Sequence, residues 1–147
     1  MPQSEMAWPR QPADRQWVKP EGDDPRTLYQ MLMVSQEMFG ERKCIGYIPS
    51  PGMQRVHLTY NEFGDLATAV AKGLRDIGVE KGDRVAIIID NSVEWAALSY
   101  GANAIGSAYT AMYTHQNGKD WAYILADATP KVVAVANTDV LDKMCEA

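Results

Sequence analysis

Residues 81–95, KGDRVAIIIDNSVEW, decide the fold. Gly82 and Asp83 supply turn chemistry, because glycine reaches positive φ and aspartate bonds its own backbone. Val85, Ala86, Ile87, Ile88 and Ile89 then form an unbroken apolar run. A strand that is apolar on both sides fits a parallel sheet covered by helices on both faces. Asn91 and Ser92 can each cap a helix, and Glu94 stands three residues after Asn91, at capping-box spacing. The stretch therefore reads as turn, buried strand, helix start.

Working downstream, the alternation continues. A strand over 84–89 leads to a helix over 92–105, which Gly106 ends. A strand over 107–112 leads to a loop at 114–118 and a helix over 119–128, where Trp121, Ile124, Leu125 and Ala128 recur at helical spacing. Pro130 punctuates its end. The run KVVAVA, 131–136, is the next strand, and Thr138 is the expected cap of a final helix, DVLDKMCEA. The order βαβαβα predicts an α/β fold with a doubly wound parallel-sheet layer.

Upstream, the capping box Thr59–Glu62 opens a helix running to about Ile77, with Phe63, Leu66, Ala67, Val70, Leu74 and Ile77 as its apolar stripe and Gly78 as its stop. Before it, 43–48 and 55–58 flank the turn Pro49-Ser50-Pro51-Gly52 and predict a β-hairpin. The first helix is expected over Pro25–Phe39, capped by Asp24, with Pro25 at its first position and Gly40 at its end. Leu28, Met31, Leu32, Ser35 and Phe39 share one face, and its methionines (Met31, Met33, Met38) are expected in ordinary core packing rather than on lipid. Residues 1–26 hold five of the eight prolines and no periodicity. They read as an extended Pro-rich arm, with Trp8 and Trp17 as anchors.

Composition excludes several functions. The 147 residues suit one ordinary domain, and 46% apolar with 22% charged residues is globular composition. A net charge of −5 with scattered Lys and Arg gives no nucleic-acid footprint. Two cysteines, Cys44 and Cys145, make no disulfide framework and suit a reducing compartment. No apolar run approaches the roughly 20 residues that span a bilayer, and the N-terminus lacks a signal core. An intracellular, cytoplasmic location is expected.

The chemistry-bearing motifs fail one by one. Gly73-LRDI-Gly78 and Gly101-ANAI-Gly106 have phosphate-loop spacing but lack the lysine that must reach the phosphates. Gly78 and Gly106 are better explained as helix stops. No G-x-G-x-x-G follows a strand, no metal-ligand spacing occurs around His57 or His115, and no G-x-S-x-G elbow exists. His57 is expected on the wet face of the hairpin. Geometry alone directs attention to the carboxyl ends of the strands, Asp90-Asn91, Tyr113-Thr114-His115 and Asn137, where doubly wound sheets bind ligands. His115 is the one group there that titrates near neutrality. No catalytic, cofactor-binding or metal-binding residue is assigned.

The segment HLTYNEFGDLATAVAKGLRDIGVEKGDRVAIIIDNSVEWAALSYGANAIGSAYTAMY, 57–113, resembles the N-terminal part of the AMP-forming acyl-activating superfamily. The matching elements are the helix start at Leu58–Glu62, the segment Gly73–Ile87, and N-x-x-EW at Asn91–Trp95. HQNGKDWAYILADATPKVVAVAN looks like the following helix and strand. TLYQMLMVSQEMFGERKCIGYI, 27–48, is similar to the entry segment of eukaryotic-type long-chain fatty acid–CoA ligases. The resemblance implies activation of a fatty acid through an acyl-adenylate to acyl-CoA, with ATP, Mg2+ and coenzyme A as cofactors of the full-length enzyme. It also implies that 27–147 is an incomplete N-terminal portion of the adenylation domain, inactive alone, because the family's phosphate loop, adenine- and ribose-binding segments and C-terminal lysine lie downstream. The partner would then be the rest of that domain, possession of an uncovered sheet would favour self-association, and peripheral membrane association would belong to the longer protein. The alternative is a stand-alone, non-catalytic relative acting as a binding or dimerisation module.

Overall fold

A computed structural model describes residues 27–146. The expected arm at 1–26, with Asp24 and Pro25, lies outside the described residues. The elements run α1 (Leu28–Phe39), β1 (Lys43–Tyr47), β2 (Val56–Thr59), α2 (Tyr60–Asp76), β3 (Arg84–Ile88), α3 (Val93–Ala104), β4 (Ala108–Met112), α4 (Gly118–Ala128), β5 (Val132–Val135) and α5 (Thr138–Cys145).

The apolar run at 85–88 is the centre of the molecule. β3 lies between β4 and β5, and both pairings are parallel, giving the order β4-β3-β5. Because successive side chains of a strand point to opposite faces, β3 feeds two cores. Val85 and Ile87 pack with Leu74, Val79 and Ala102, so α2 and α3 cover one face. Ala86 and Ile88 pack with Met112, Trp121 and Val140, so α4 and α5 cover the other. Val85 through Ile88 are all 0% exposed, and Val85, Ile87 and Ile88 each contribute roughly 1.5–3 kcal/mol by leaving water. This is the doubly wound layer that the alternation predicts.

A third core joins the preceding elements to the outer side of α2 and α3. Leu32, Phe63, Ala67 and Ala97 are buried there, with Ile45 and Leu58 of the hairpin packed alongside. The hairpin β1–β2 is antiparallel, with an irregularity in register between Lys43 and Ile45. The Thr59–Glu62 capping box forms as expected, with Glu62 N–H donating to Thr59 Oγ1 and Thr59 N–H to Glu62 Oε2.

Four expectations are corrected. The cap of α1 is Thr27, not Asp24, with a capping box to Gln30, so the helix begins at Leu28 rather than Pro25. The cap of α5 is Asn137, whose Oδ1 accepts from Val140 N–H, and Thr138 is the first helical residue. Ile77, placed on the apolar stripe of α2, is 62% exposed because the helix has already ended and its residue caps it. On α1, Met31 and Met38 are largely exposed, and Leu32 and Met33 provide the inward packing.

Candidate functional site

The crossover through α3 leaves β3 on one face of the sheet, and that through α4 leaves β4 on the other. The two chain exits diverge at the carboxyl ends of β3 and β4, which opens a crevice there, the usual ligand position in such sheets. It is a cavity of about 130 Å³, lined by Ile89, Asn91, Trp95, Ala111, Met112 and Tyr113. Its walls are mainly apolar, and Trp95 is held edge-on against Tyr109 with ring centroids 6.2 Å apart.

The polar groups around the crevice are tied to one another. Thr114 Oγ1 donates to Asp90 Oδ1 at 2.6 Å, which bridges the exits of β3 and β4. Tyr113 N–H donates to Gln116 Oε1, and the buried Trp121 donates its Nε1–H to Tyr113 O at 3.1 Å. Lys143 of α5 donates to Gln116 O at 2.7 Å and lies 4.6 Å from the Trp121 ring centroid. The β4–α4 loop is thereby fixed from three sides, while Tyr113 stays 72% exposed. Rigid presentation of an exposed side chain suits binding.

Of the residues singled out from sequence, Asn91 and Tyr113 line this crevice, and Asp90 and Thr114 bond to each other across the strand exits. His115 is exposed in the same loop and does not line it. Asn137 is committed to capping α5. His57 is exposed on β2, on the hairpin. The Asp90–Thr114 bridge and the Lys143–Gln116 tie have no signal in the sequence, because each joins residues more than 20 positions apart.

The glycine pairs have structural roles. Gly78 and Gly106 take φ of +91° and +74° beyond the ends of α2 and α3. Gly101 is buried where α3 crosses α2, and a Cβ there would come 2.7 Å from Val70 Cγ1. Among the described residues, no group of three His, Cys, Asp or Glu side chains gathers to hold a metal.

Groups with shifted titration lie elsewhere in the molecule. At the amino edge of the sheet, the Glu80 N–H donated to Asp83, and then Lys131 at 3.0 Å, hold the Asp83 carboxyl below its ordinary range. Burial pushes the Cys44 thiol and the Tyr100 phenol up. Both line a cleft of about 270 Å³ between α1, β1, α2 and α3, together with Met31, Leu32, Ile45 and Phe63. A neutral thiol and a neutral phenol in an apolar cleft are packing groups.

The sequence profile described as AMP-binding enzyme matches residues 35–147. Over 120 residues the chain is 29% identical to the long-chain-fatty-acid–CoA ligase ACSBG1 of Bos taurus, covering 82% of this chain and 16% of that protein. It is 38% identical over 78 residues to the long-chain-fatty-acid–CoA ligase FadD13 of Mycobacterium tuberculosis, covering 53% and 16%. Among solved structures, the N-terminal domain of FACL13 from Mycobacterium tuberculosis superposes with a TM-score of 0.74 at 29% identity, covering 84% of this chain and 31% of that one. A long-chain-fatty-acid CoA ligase from Rhodopseudomonas palustris gives 0.69 at 31% identity, covering 82% and 29%. The chain thus spans about one-sixth of the length of these curated relatives.

Proposed function

This chain belongs to the AMP-binding enzyme family, and from that premise we propose that residues 27–147 form the N-terminal portion of the adenylation domain of a long-chain fatty acid–CoA ligase. The observation that carries the reading is the joint match of fold and sequence. The chain, with its β4-β3-β5 sheet and flanking helices, superposes on the N-terminal domain of FACL13 and on a fatty acyl CoA synthetase, both of Mycobacterium tuberculosis and each at 29% identity. In the proposed reaction a fatty acid carboxylate attacks the α-phosphate of ATP, pyrophosphate leaves, and coenzyme A thiolate then displaces AMP.

Catalysis of adenylation needs positioned cations and backbone donors around the phosphates. The described residues offer neither a metal-binding group nor a phosphate loop. The reading assigns ATP, Mg2+ and coenzyme A, the cofactors of the family in general, to the longer polypeptide. The role of this portion is to build the sheet and the helix layers on which the remaining domain is assembled. No helix among the described residues is long and apolar enough to cross a membrane. The free thiols of Cys44 and Cys145 suit a reducing, cytoplasmic setting, with peripheral membrane contact reserved for the longer protein.

The test is fatty acid-dependent ATP–pyrophosphate exchange. The longer polypeptide is expected to exchange with palmitate, and the 147-residue chain alone is not. Exchange by the short chain would contradict the absence of an ATP site. Exchange by the longer polypeptide with acetate but not with palmitate would overturn the substrate class.

A further inference from the structure

We propose that the tip of the β1–β2 hairpin is a membrane-surface contact that seats on anionic lipid. It gives a place to the peripheral membrane contact proposed above for the longer protein, and rests on that reading.

Exposed apolar surface is the first observation. The last hairpin pair is Tyr47 with Val56, and beyond it the chain turns through residues 48–55. Residues 48–57 are exposed without interruption, so the tip projects from the body of the molecule. Three large apolar side chains lie on this short stretch, with Ile48 55%, Met53 56% and Val56 41% exposed. Pro49 and Pro51 are exposed between them. Such a patch marks a contact surface. The turn holds its shape, because Met53 N–H donates to Ser50 O at 3.0 Å and Gly52 takes a φ of +83°.

The backbone at the apex suits an apolar medium. A bare N–H is costly in hydrocarbon, which offers no acceptor. Pro49 and Pro51 have no N–H, and that of Met53 is bonded within the turn. The apex can therefore leave water at lower cost than an ordinary loop.

Charge identifies the lipid. The chain carries a net charge of −5, yet no Asp or Glu occurs from Arg42 to Asn61. Arg42, Lys43 and Arg55 are exposed in that stretch, and among the described residues no carboxylate pairs with any of them. The flanking acids are at the other end of the hairpin, where Glu41 accepts from Asn61 Nδ2 and Glu62 from Thr59 N–H. Arg55 follows Met53 by two residues. Its stem and the His57 ring lie across Gly46, where a Cβ would come 3.4 Å from Arg55 Cδ and 3.0 Å from His57 Cδ2. A long cationic side chain set just behind an apolar apex can reach headgroup phosphates while the apex enters the acyl boundary. Elsewhere the excess of acidic groups repels an anionic surface, so this stretch is the one that can face it.

Vesicle co-sedimentation of the longer polypeptide tests the proposal, on phosphatidylcholine alone and with a third phosphatidylserine. Binding is expected to be tighter with phosphatidylserine. The double variant Ile48→Ser, Met53→Ser should bind at least about tenfold more weakly to both vesicles. Arg55→Glu should lose about tenfold on the phosphatidylserine vesicles and little on the others. Tm should not change, since all three side chains are exposed. Amide hydrogen exchange over residues 50–54 should slow when vesicles are added. Wild-type binding by the double variant, or unchanged exchange at the tip, would overturn the assignment and leave the peripheral contact to another surface. No binding by the wild-type polypeptide would overturn both. Protection of residues 50–54 in the longer polypeptide without vesicles would also overturn the assignment, because the rest of the protein would then cover the tip. Pyrophosphate exchange with palmitate in detergent should be equal in all three proteins, and its absence from the wild type would defeat the activity while the vesicle result stands.

Discussion

Replacing Gly101 by alanine should destabilise this fold, whereas the same replacement at Gly73, on the neighbouring helix, should stabilise it. Both glycines sit inside helices, where alanine is favoured by about 0.5–1 kcal/mol. At Gly73 a new Cβ meets nothing within 4 Å, so that gain should appear in full. At Gly101 the Cβ would lie 2.7 Å from Val70 Cγ1 and 3.1 Å from the Ala71 backbone nitrogen. Valine is confined to essentially one rotamer in a helix, and the nitrogen is part of α2 itself, so neither neighbour yields easily. Overpacking of this kind costs roughly 1–3 kcal/mol. Subtracting the propensity gain from the upper part of that range leaves a net loss of about 1–2 kcal/mol. Urea denaturation of the two single variants reads the sign directly. Val70→Ala removes the clashing methyl, so the cycle of Val70→Ala and Gly101→Ala should show favourable coupling of about 1 kcal/mol or more. A Gly101→Ala variant stabilised as much as Gly73→Ala, or a cycle without coupling, would refute the close approach of α2 and α3.

Further predictions concern caps, pH and thiols. Thr59→Ala should cost about 1 kcal/mol by unmaking the α2 capping box, measured by urea denaturation, with Thr59→Ser nearly neutral; a harmless alanine would mean the cap is idle. Asp83 has its folded pKa lowered by the Glu80 N–H and by Lys131. Its stabilisation is therefore fully present above the ordinary unfolded value of about 3.9 and is lost as pH falls through the lower folded value. Asp83→Asn should flatten the decline of Tm with acid in that window, and an unchanged Tm–pH curve would count against the contact. Alkylation of the folded chain near pH 8 should modify the exposed Cys145 at least about tenfold faster than Cys44, whose thiol is raised by burial. Peptide mapping that finds equal rates would show that the cleft beneath α1 opens readily.

What the sequence could convey was local. The apolar run at 85–88 announced a strand buried on both faces because its two faces meet two different helix layers, and Thr59-x-x-Glu62 announced a helix start because the cap is a reciprocal bond between near neighbours. The errors at helix starts arose where several competent caps stand together. Thr27-x-x-Gln30 is itself a capping box and prevails over Asp24–Pro25, and Asn137 prevails over Thr138. Thr129 closes α4 at a positive φ of 42° without a glycine, held by hydrogen bonds from the Arg84 side chain to Ala128 O and Thr129 Oγ1, an arrangement 44 or more residues apart in sequence. The strand order and the crevice were equally non-local. Which strands flank β3 depends on the direction of each crossover, and the Asp90–Thr114 bridge exists only once β3 and β4 are adjacent.

The most direct test of the central claim is the intact mass of the native gene product, captured from its source with an antibody raised against residues 27–146. A polypeptide several times longer than 147 residues, with a Ser/Thr/Gly-rich phosphate loop in the sequence after Ala147, is the predicted result. A native product that ends at Ala147 would contradict the assignment to a ligase and leave a non-catalytic module.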